Sequence, residues 1–374
     1  MNNNFITVML TFLIVGLFGC MIAFGIGAYK EIGTPVYNDS AITEEDNKYS
    51  SIEKKEELEA PQVVSEPIDN VEETFTKKKI TYQSSSSSKH YFYSQLDNYS
   101  KIIYDGIYAN KDNMKTGTYS LEFGDAFSEL LSKSNGQELL GNSYQSAIEA
   151  FTYDNPDVFF LDPTKMYLNI KTTTKGRNKT YNVYIANRNG ENYLGTGFNS
   201  EEQINQCQAQ IEQVKNQVLS GLPGNTEKQI KHIHDYLVDN LTYDQNISGS
   251  NIYNLYGALV NKTCVCEGYA KAFKYLLDEA GIDCVIVIGT GTNLKGETEN
   301  HAWNYVAVNG SWYAIDTTWD DPIVQGGGTL LSSYKYKYYL KGLVTISKDH
   351  IANGQFTSGG KIFSYPIISN NDYK

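Results

Sequence analysis

The spacing of apolar residues changes at Gly281, and this change constrains the fold more than any other feature of the sequence. From Ser200 to Ala280 the apolar residues recur at helical spacing, which predicts three long helices, the last of which ends before Gly281. Beyond Gly281 the apolar runs are continuous or alternate as in strands. A group of helices followed by a group of strands predicts an α+β fold with an antiparallel sheet.

A hairpin is the best-defined element of the predicted sheet. Strand patterns flank Asn309-Gly310, a dipeptide typical of a two-residue type I′ turn. Such a turn sets the pairing register and puts His301 opposite Thr318, two residues from Asp316. The sequence therefore predicts that the side chains of His301 and Asp316 lie close together.

The part of the chain before Ser200 predicts a smaller subdomain. Helical spacing within residues 91–151 is followed by alternating segments at 166–170 and 180–186, which predict a β-hairpin. We therefore divide the folded part into an α and β-hairpin subdomain, 91–200, and a larger domain, 201–374. Further strands are predicted at 158–161, 284–288 and 334–340.

The first 30 residues are predicted to be a membrane anchor or a signal segment. Residues 5–29 contain no charged side chain, and about 20 apolar residues are enough to span a bilayer as a helix. Small residues near Ala28 keep a cleaved secretory signal open, and Cys20 keeps lipidation open. We expect a single-pass anchor in the cell membrane that holds the rest of the chain outside the cell.

Residues 31–90 are predicted to be a disordered linker. Residues 31–80 contain 13 Asp and Glu against 6 Lys and Arg, and a serine run follows at 84–88. Such a segment buries too little apolar surface to offset the loss of chain entropy on folding. Its predicted role is to tether the folded part to the membrane.

Composition argues against two classes of function. The net charge of −12 and the lack of a basic stripe argue against nucleic-acid binding. The 5 cysteines are too few and too irregularly spaced for a disulfide framework, and none lies at zinc-site spacing. We therefore expect no metal and no cofactor, whereas the acidic balance mildly favours amine-bearing partners.

Cys266, His301 and Asp316 are the candidate catalytic residues. Cys266 is predicted to lie in the first turn of a helix, where the helix dipole and unpaired backbone N–H groups favour the thiolate. His301 and Asp316 lie across the predicted hairpin, so Asp316 can orient an imidazole that faces the thiol. The alternatives are a packed small cysteine, a structural histidine and an aspartate that only forms a turn.

Three motifs around these residues resemble those of the transglutaminase-like superfamily: VCEGYA at 265–270, NHAWN at 300–304 and WYAIDTTW at 312–319. The resemblance extends over about residues 225–350. It implies a papain-like core in which Cys266, rather than Cys264, is the nucleophile, with His301 as base and Asp316 as orienting group. Further segments that fit bacterial members are IHDYL at 233–237, LTYD at 241–244, DDP at 320–322 and DH at 349–350.

The resemblance also suggests roles for aromatic residues. Tyr256 occupies the place of an aromatic residue that completes the oxyanion hole in many members, although it is equally well explained as a core residue. Trp303 and Trp319 are expected to form the wall of the site, or only to fill the core. No partner is evident in the sequence for His350, and we assign it a structural role.

The implied activity is cysteine-dependent acyl transfer from an amide, by cross-linking or by hydrolysis. An extracellular location would make protein or peptide substrates at the cell wall or surface the natural ones. No acidic cluster at calcium-loop spacing is present, so the calcium dependence of animal transglutaminases is not expected. The alternative is a catalytically idle module that binds or scaffolds at the cell surface.

Overall fold

The computed structural model describes residues 90–188, 191–321, 332–353 and 361–374, and the backbone of strands within 6–13, 36–38 and 323–325. The fold is α+β, as predicted. The strands are β1 Ile6–Leu13, β2 Val36–Asn38, β3 Leu121–Gly124, β4 Tyr167–Lys175, β5 Asn178–Ala186, β6 Thr242–Tyr243, β7 Thr263–Cys264, β8 Cys284–Thr292, β9 Thr298–Val308, β10 Ser311–Ile315, β11 Ile323–Gln325 and β12 His350–Ala352. The helices are α1 Asn98–Asn110, α2 Ser128–Leu131, α3 Gly136–Asp154, α4 Glu201–Leu219, α5 Thr226–Asn240, α6 Cys266–Glu279, α7 Ser332–Lys335 and α8 Leu343–Ile346, with a π-helical turn at Gly257–Asn261.

The first sheet has the strand order β1-β4-β5-β3. Strands β4 and β5 form the predicted hairpin, in which Lys175 pairs with Asn178 and Gly176 adopts a φ of 64°. Helices α1 and α2 pack on α3, and they contact the strands β3 and β5 of this sheet, respectively. Helices and hairpin thus form the arrangement predicted for residues 91–200.

The helices before the second sheet begin at side-chain caps. Ser200 Oγ accepts a hydrogen bond from the backbone N–H of Gln203, 3.2 Å away, as the capping pattern predicts. Helix α5 is capped by Asn225, whose Oδ1 accepts from the Lys228 N–H, so the cap lies one residue before the predicted Thr226. Helix α6 ends at Gly281, whose φ of 74° is readily adopted only by a residue without a side chain.

The second sheet is antiparallel, with the order β10-β9-β8-β12. Ser311 pairs with Val308 and Ile315 with Asn304, which is the register predicted from the turn at Asn309-Gly310. Helix α6 packs against β8 and β9, and α5 packs against α6. The start of α6 and the ends of β9 and β10 are therefore brought together on the sheet.

Two predicted strands are wrong. Residues 158–161 form turns, and only Leu161 makes an isolated bridge, to Leu194. Residues 334–340 alternate like a strand but form the end of α7 and turns. The reason is a tertiary contact, because the backbone N–H of Tyr338 donates to Oδ1 of Asp320, 2.7 Å away, instead of to a neighbouring strand.

The N-terminal predictions fall mostly outside the described residues. Of the predicted membrane anchor or signal segment over 5–29, only the backbone of β1 is described, as a strand that pairs antiparallel with β4, and the anchor stays a prediction. In the part of the chain that the structure describes, no helix combines the length and the apolar character needed to cross a bilayer. The predicted linker 31–90 also lies outside the description, apart from β2 and His90.

Substitution of Gly268 tests how closely the start of α6 is packed. A Cβ at this position would lie 2.5 Å from the Cys264 Cβ and 2.7 Å from the carbonyl oxygen of Ile252. Because this clash exceeds the gain in helix propensity, we expect Gly268→Ala to lower the free energy of unfolding by about 1–3 kcal/mol in a urea titration. The matched control is Gly224→Ala, where a Cβ would have nothing within 4 Å. Equal stability of the two variants would contradict the packing described here.

Candidate active site

Cys266 is the first residue of α6 and is 9% exposed. The preceding Val265 is extended, and its carbonyl accepts the N–H of Tyr269 in the first turn of the helix. The backbone N–H of Cys266 belongs to the first turn, where no intrahelical acceptor exists. The sulfur therefore lies at the positive end of the α6 dipole, beside N–H groups that can donate to an oxyanion.

His301 and Asp316 form a buried hydrogen-bonded pair. His301 Nε2 lies 2.7 Å from Oδ2 of Asp316, and the Cys266 side chain is within hydrogen-bonding reach of the same imidazole. Because Nε2 is bonded to Asp316, Nδ1 is the nitrogen left to face the sulfur. Burial disfavours the charged imidazole, yet the Asp316 carboxylate and the Cys266 sulfur raise the pKa of His301 from 6.5 to about 9.

Asp316 accepts four hydrogen bonds while fully buried. Its Oδ1 accepts the backbone N–H groups of Thr318 at 3.0 Å and of Trp319 at 3.1 Å, and its Oδ2 is shared by the rings of His301 and His350. Burial alone would raise the pKa of this carboxyl, but the two histidines outweigh it and hold the pKa well below the ordinary value. Asp316 is therefore fixed as a carboxylate in one orientation.

His350 lies between two carboxylates. Its Nε2 is 3.0 Å from Asp316 Oδ2, and its Nδ1 is 2.7 Å from Asp349 Oδ1. Carboxylates only accept hydrogen bonds, so both ring nitrogens must donate and the ring is an imidazolium ion. Burial opposes this charge, but the two carboxylates raise the pKa of His350. Sequence reasoning missed this partner of Asp316, and the DH pair at 349–350 was the only signal that could have found it.

A second imidazole, that of His234, is paired in the same way with Asp320, four residues after Asp316. His234 Nε2 lies 3.0 Å from Asp320 Oδ2, and its Nδ1 lies 3.1 Å from Asp235 Oδ1. The Asp320 N–H donates to the carbonyl of Asp316, which links the two arrangements. His234 therefore supports the turn that carries Asp316.

Trp303 and Trp319 enclose the imidazole of His301. Their rings stack on it with centroid distances of 5.9 Å and 5.0 Å, and Trp319 also meets the ring of His350 edge-on at 4.5 Å. Both tryptophans are buried. Their position beside His301 is the one expected of residues that wall the site and limit its contact with water.

Tyr256 contacts helix α4 and the 91–200 subdomain. Its hydroxyl donates to Gln210 Oε1 in α4 at 3.2 Å, and its ring stacks on Phe159. The structure thus brings Cys266, His301 and Asp316 together, with both tryptophans beside them, and gives Tyr256 a packing contact with the 91–200 subdomain.

Tyr153 is a residue of this region that sequence reasoning missed. It lies in α3, is fully buried, and its pKa is raised by burial and by the negative charges of Glu267, Glu149 and Cys266. Lys271 Nζ of α6 lies 5.9 Å from the centre of its ring, so Tyr153 packs beside α6 from the other subdomain. No local pattern could reveal this, because the contact joins positions more than a hundred residues apart.

His301, Asp316 and His350 also place potential metal-ligand atoms within 4.8 Å of one another. The hydrogen bonds of the two imidazoles to one carboxylate oxygen account for this spacing. A metal ion would have to replace those bonds. The predicted lack of a metal site stays a prediction.

Residues 212–317 match the model of the Transglutaminase-like superfamily. Kyphoscoliosis peptidase from Mus musculus is 36% identical over 81 residues, and that from Homo sapiens is 35% identical over 81 residues. Each match covers 20% of this chain and 12% of the relative, so the chain spans only a small part of the length of these relatives. A crystal structure described as that of a TGase is similar with a TM-score of 0.28 and 15% identity, over 45% of this chain and 48% of the other.

The raised pKa of His301 predicts a pH-dependent contribution to stability. Because its pKa is about 9 in the folded protein against an ordinary 6.5, the contribution is fully present below pH 6.5 and is lost as the pH rises through 9. We expect Asp316→Asn to lower the free energy of unfolding most below pH 6.5, and the difference from the wild type to shrink above pH 9. Urea titrations from pH 5 to pH 10 measure this, and a difference independent of pH would refute it.

The positive charge of His350 is predicted to influence the pKa of His301 through Asp316. Replacing the imidazolium with a neutral amide in His350→Gln removes a positive charge next to Asp316, so more of the carboxylate charge acts on His301. We expect the titration midpoint of His301, followed by histidine NMR, to move above its wild-type value. The control is His232→Gln, because the exposed His232 ring lies away from Asp316 and hydrogen-bonds the Val218 carbonyl at 2.9 Å. An unchanged or lowered midpoint in His350→Gln would mean that His350 is neutral.

Proposed function

Since residues 212–317 carry the core of the transglutaminase-like superfamily, we propose that this chain catalyses acyl transfer from amides through a thioester on Cys266. The observation that carries the proposal is the buried hydrogen bond of 2.7 Å between His301 and Asp316, with the Cys266 side chain acting on the same imidazole. Cys266 is the nucleophile, His301 the general base and acid, and Asp316 the orienting carboxylate.

The proposed reaction has two steps. In the first, the sulfur of Cys266 bonds to the amide carbon, His301 takes the thiol proton and returns it to the leaving amine, and the C–N bond breaks. In the second, water or a primary amine attacks the thioester, His301 takes a proton from the attacking group, and the sulfur leaves. The backbone N–H of Cys266 donates to the carbonyl oxygen as negative charge develops there.

The surroundings of His301 favour attack by an amine as well as by water. Trp303 and Trp319 cover the imidazole, and exclusion of water slows hydrolysis of a thioester. The proposed substrates are therefore proteins or peptides that supply an amide and, for cross-linking, a primary amine. That these lie at the outer cell surface rests on the charge-free segment 5–29 alone.

Thiol labelling tests the nucleophile. Burial raises the pKa values of Cys207, Cys264 and Cys284, so these thiols should react slowly. We expect iodoacetamide at pH 7 to label Cys266 at least about tenfold faster than the other three, measured by mass spectrometry of digests. His301→Gln should slow the labelling of Cys266 and leave the others unchanged. Equally slow labelling of all four thiols would favour the idle binding module instead.

A second measurement decides whether an amine or water accepts the acyl group from the thioester. The chain is incubated with a glutamine-containing protein and a labelled primary amine, with Cys266→Ala as the inactive control. Incorporation of the label that requires Cys266 supports transfer, whereas release of ammonia without incorporation supports hydrolysis. If neither product depends on Cys266, acyl transfer is excluded.

A further inference from the structure

His350 shares one carboxylate oxygen of Asp316 with His301. Oδ2 of Asp316 lies 2.7 Å from Nε2 of His301 and 3.0 Å from Nε2 of His350, and the centres of the two imidazole rings are 5.5 Å apart. The proposed reaction uses Cys266, His301 and Asp316 but gives His350 no part. Its place at the same oxygen nevertheless allows His350 to act on the proposed base.

The ring of His350 is held from two sides. Strand β12 pairs with β8, and the carbonyl of Asp349 accepts the backbone N–H of Thr292 at 2.8 Å. Oδ1 of Asp349 lies 2.7 Å from Nδ1 of His350, and Oδ2 accepts the hydroxyl of Tyr338 at 2.7 Å. Because both oxygens of Asp349 are engaged, this carboxylate fixes the orientation of the His350 ring and directs its Nε2 at Asp316.

The positive charge of His350 lies among aromatic rings. The side chain is fully buried, and the ring centres of Trp303, Trp319 and Tyr338 lie 5.0 Å, 4.5 Å and 5.2 Å from that of the imidazole. Charges interact more strongly where protein rather than water surrounds them. The groups next to His350 are therefore strongly affected by its charge.

This charge weakens the hold of Asp316 on a protonated His301. Part of the negative charge of Asp316 is taken up by His350, and two positively charged imidazoles 5.5 Å apart repel one another. Both effects favour release of the proton that His301 carries after it has taken it from the thiol. Release of this proton to the departing amine is the task of the histidine in a triad of this kind.

We propose that His350 is a positioning residue that acts through Asp316 and eases the transfer of the His301 proton to the leaving amine. In this step the sulfur of Cys266 has bonded to the acyl carbon, the proton passes from His301 to the amide nitrogen, and the C–N bond breaks with its electron pair on nitrogen. The proton is the one that His301 took from the thiol, so no further reactant is needed. The inference rests on the proposed function and adds a fourth residue to it.

The nature of the leaving group tests this role. The full chain is assayed with a glutamine peptide and with the corresponding glutamate peptide whose γ-carboxyl is a p-nitrophenyl ester, so that both deliver the same acyl group. Ammonia must receive a proton to leave, whereas nitrophenolate leaves as an anion. We expect His350→Gln to lower kcat/KM about three- to tenfold more for the amide than for the ester, because only the amide needs the proton of His301.

Two further variants serve as comparisons. His350→Lys keeps a positive charge beside Asp316 and should return the ratio of the amide rate to the ester rate towards the wild-type value. His232→Gln, at an exposed histidine that hydrogen-bonds the Val218 carbonyl at 2.9 Å, should leave both rates unchanged. Both rates are measured on one preparation of each variant, so a misfolded fraction lowers them equally and leaves their ratio unaffected.

The possible results lead to different conclusions. An amide-to-ester ratio that falls in His350→Gln and recovers in His350→Lys supports the role of His350. An equal fall with both substrates, or a ratio that is equally low in the two variants, would overturn it and leave His350 as a residue that only completes the fold, whereas the proposed function would stand. If the wild type forms no thioester with either peptide, as detected by mass spectrometry, the proposed function itself fails.

Discussion

The carboxylate of Asp316 is the group on which the rest of the site depends. A buried carboxylate costs several kcal/mol unless it is paired and hydrogen-bonded, and here its partners come from three places in the chain. His301 comes from β9, the N–H groups of Thr318 and Trp319 come from the turn after β10, and His350 comes from β12. Because every partner has its own place in the sheet, the carboxylate can be satisfied only when β9, β10 and β12 are all in register. The same hydrogen bonds to Asp316 therefore fix both the orientation of His301 beside Cys266 and the register of these strands.

Local signals in the sequence predict the parts of the site that local structure determines. Asn309-Gly310 sets the hairpin register and with it the approach of His301 to Asp316, and the helix start places Cys266. Such local signals do not predict contacts between segments that are distant in the sequence. His350 has no visible partner in the sequence, and Tyr256 has a plausible motif position but packs on Phe159. Residues 334–340 alternate like a strand, yet they form the end of α7 and turns in which the Tyr338 N–H donates to the distant Asp320. The segments before residue 90 were interpreted from composition, and for most of them that interpretation stays a prediction.

The 91–200 subdomain is joined to the rest of the chain through its core. Phe92 packs on Phe363 and Tyr365, near the other end of the chain, and one hydrophobic cluster includes residues from both parts. Tyr153 extends this contact to the start of α6. The charges that act on His301 come from Asp316 and Cys266, both outside this subdomain.

The position of His350, which follows the other candidate residues in the chain, bears on how the protein is made. Cys266, His301 and Asp316 all leave the ribosome before β12, which pairs with β8 and brings His350 to Asp316. Until β12 docks, the buried carboxylate lacks one of its four donors and the sheet lacks its edge strand. A nascent or C-terminally truncated chain therefore contains every proposed reactive group in an incompletely ordered site. The hydrogen bonds that hold Asp316 are therefore complete only after β12 has left the ribosome.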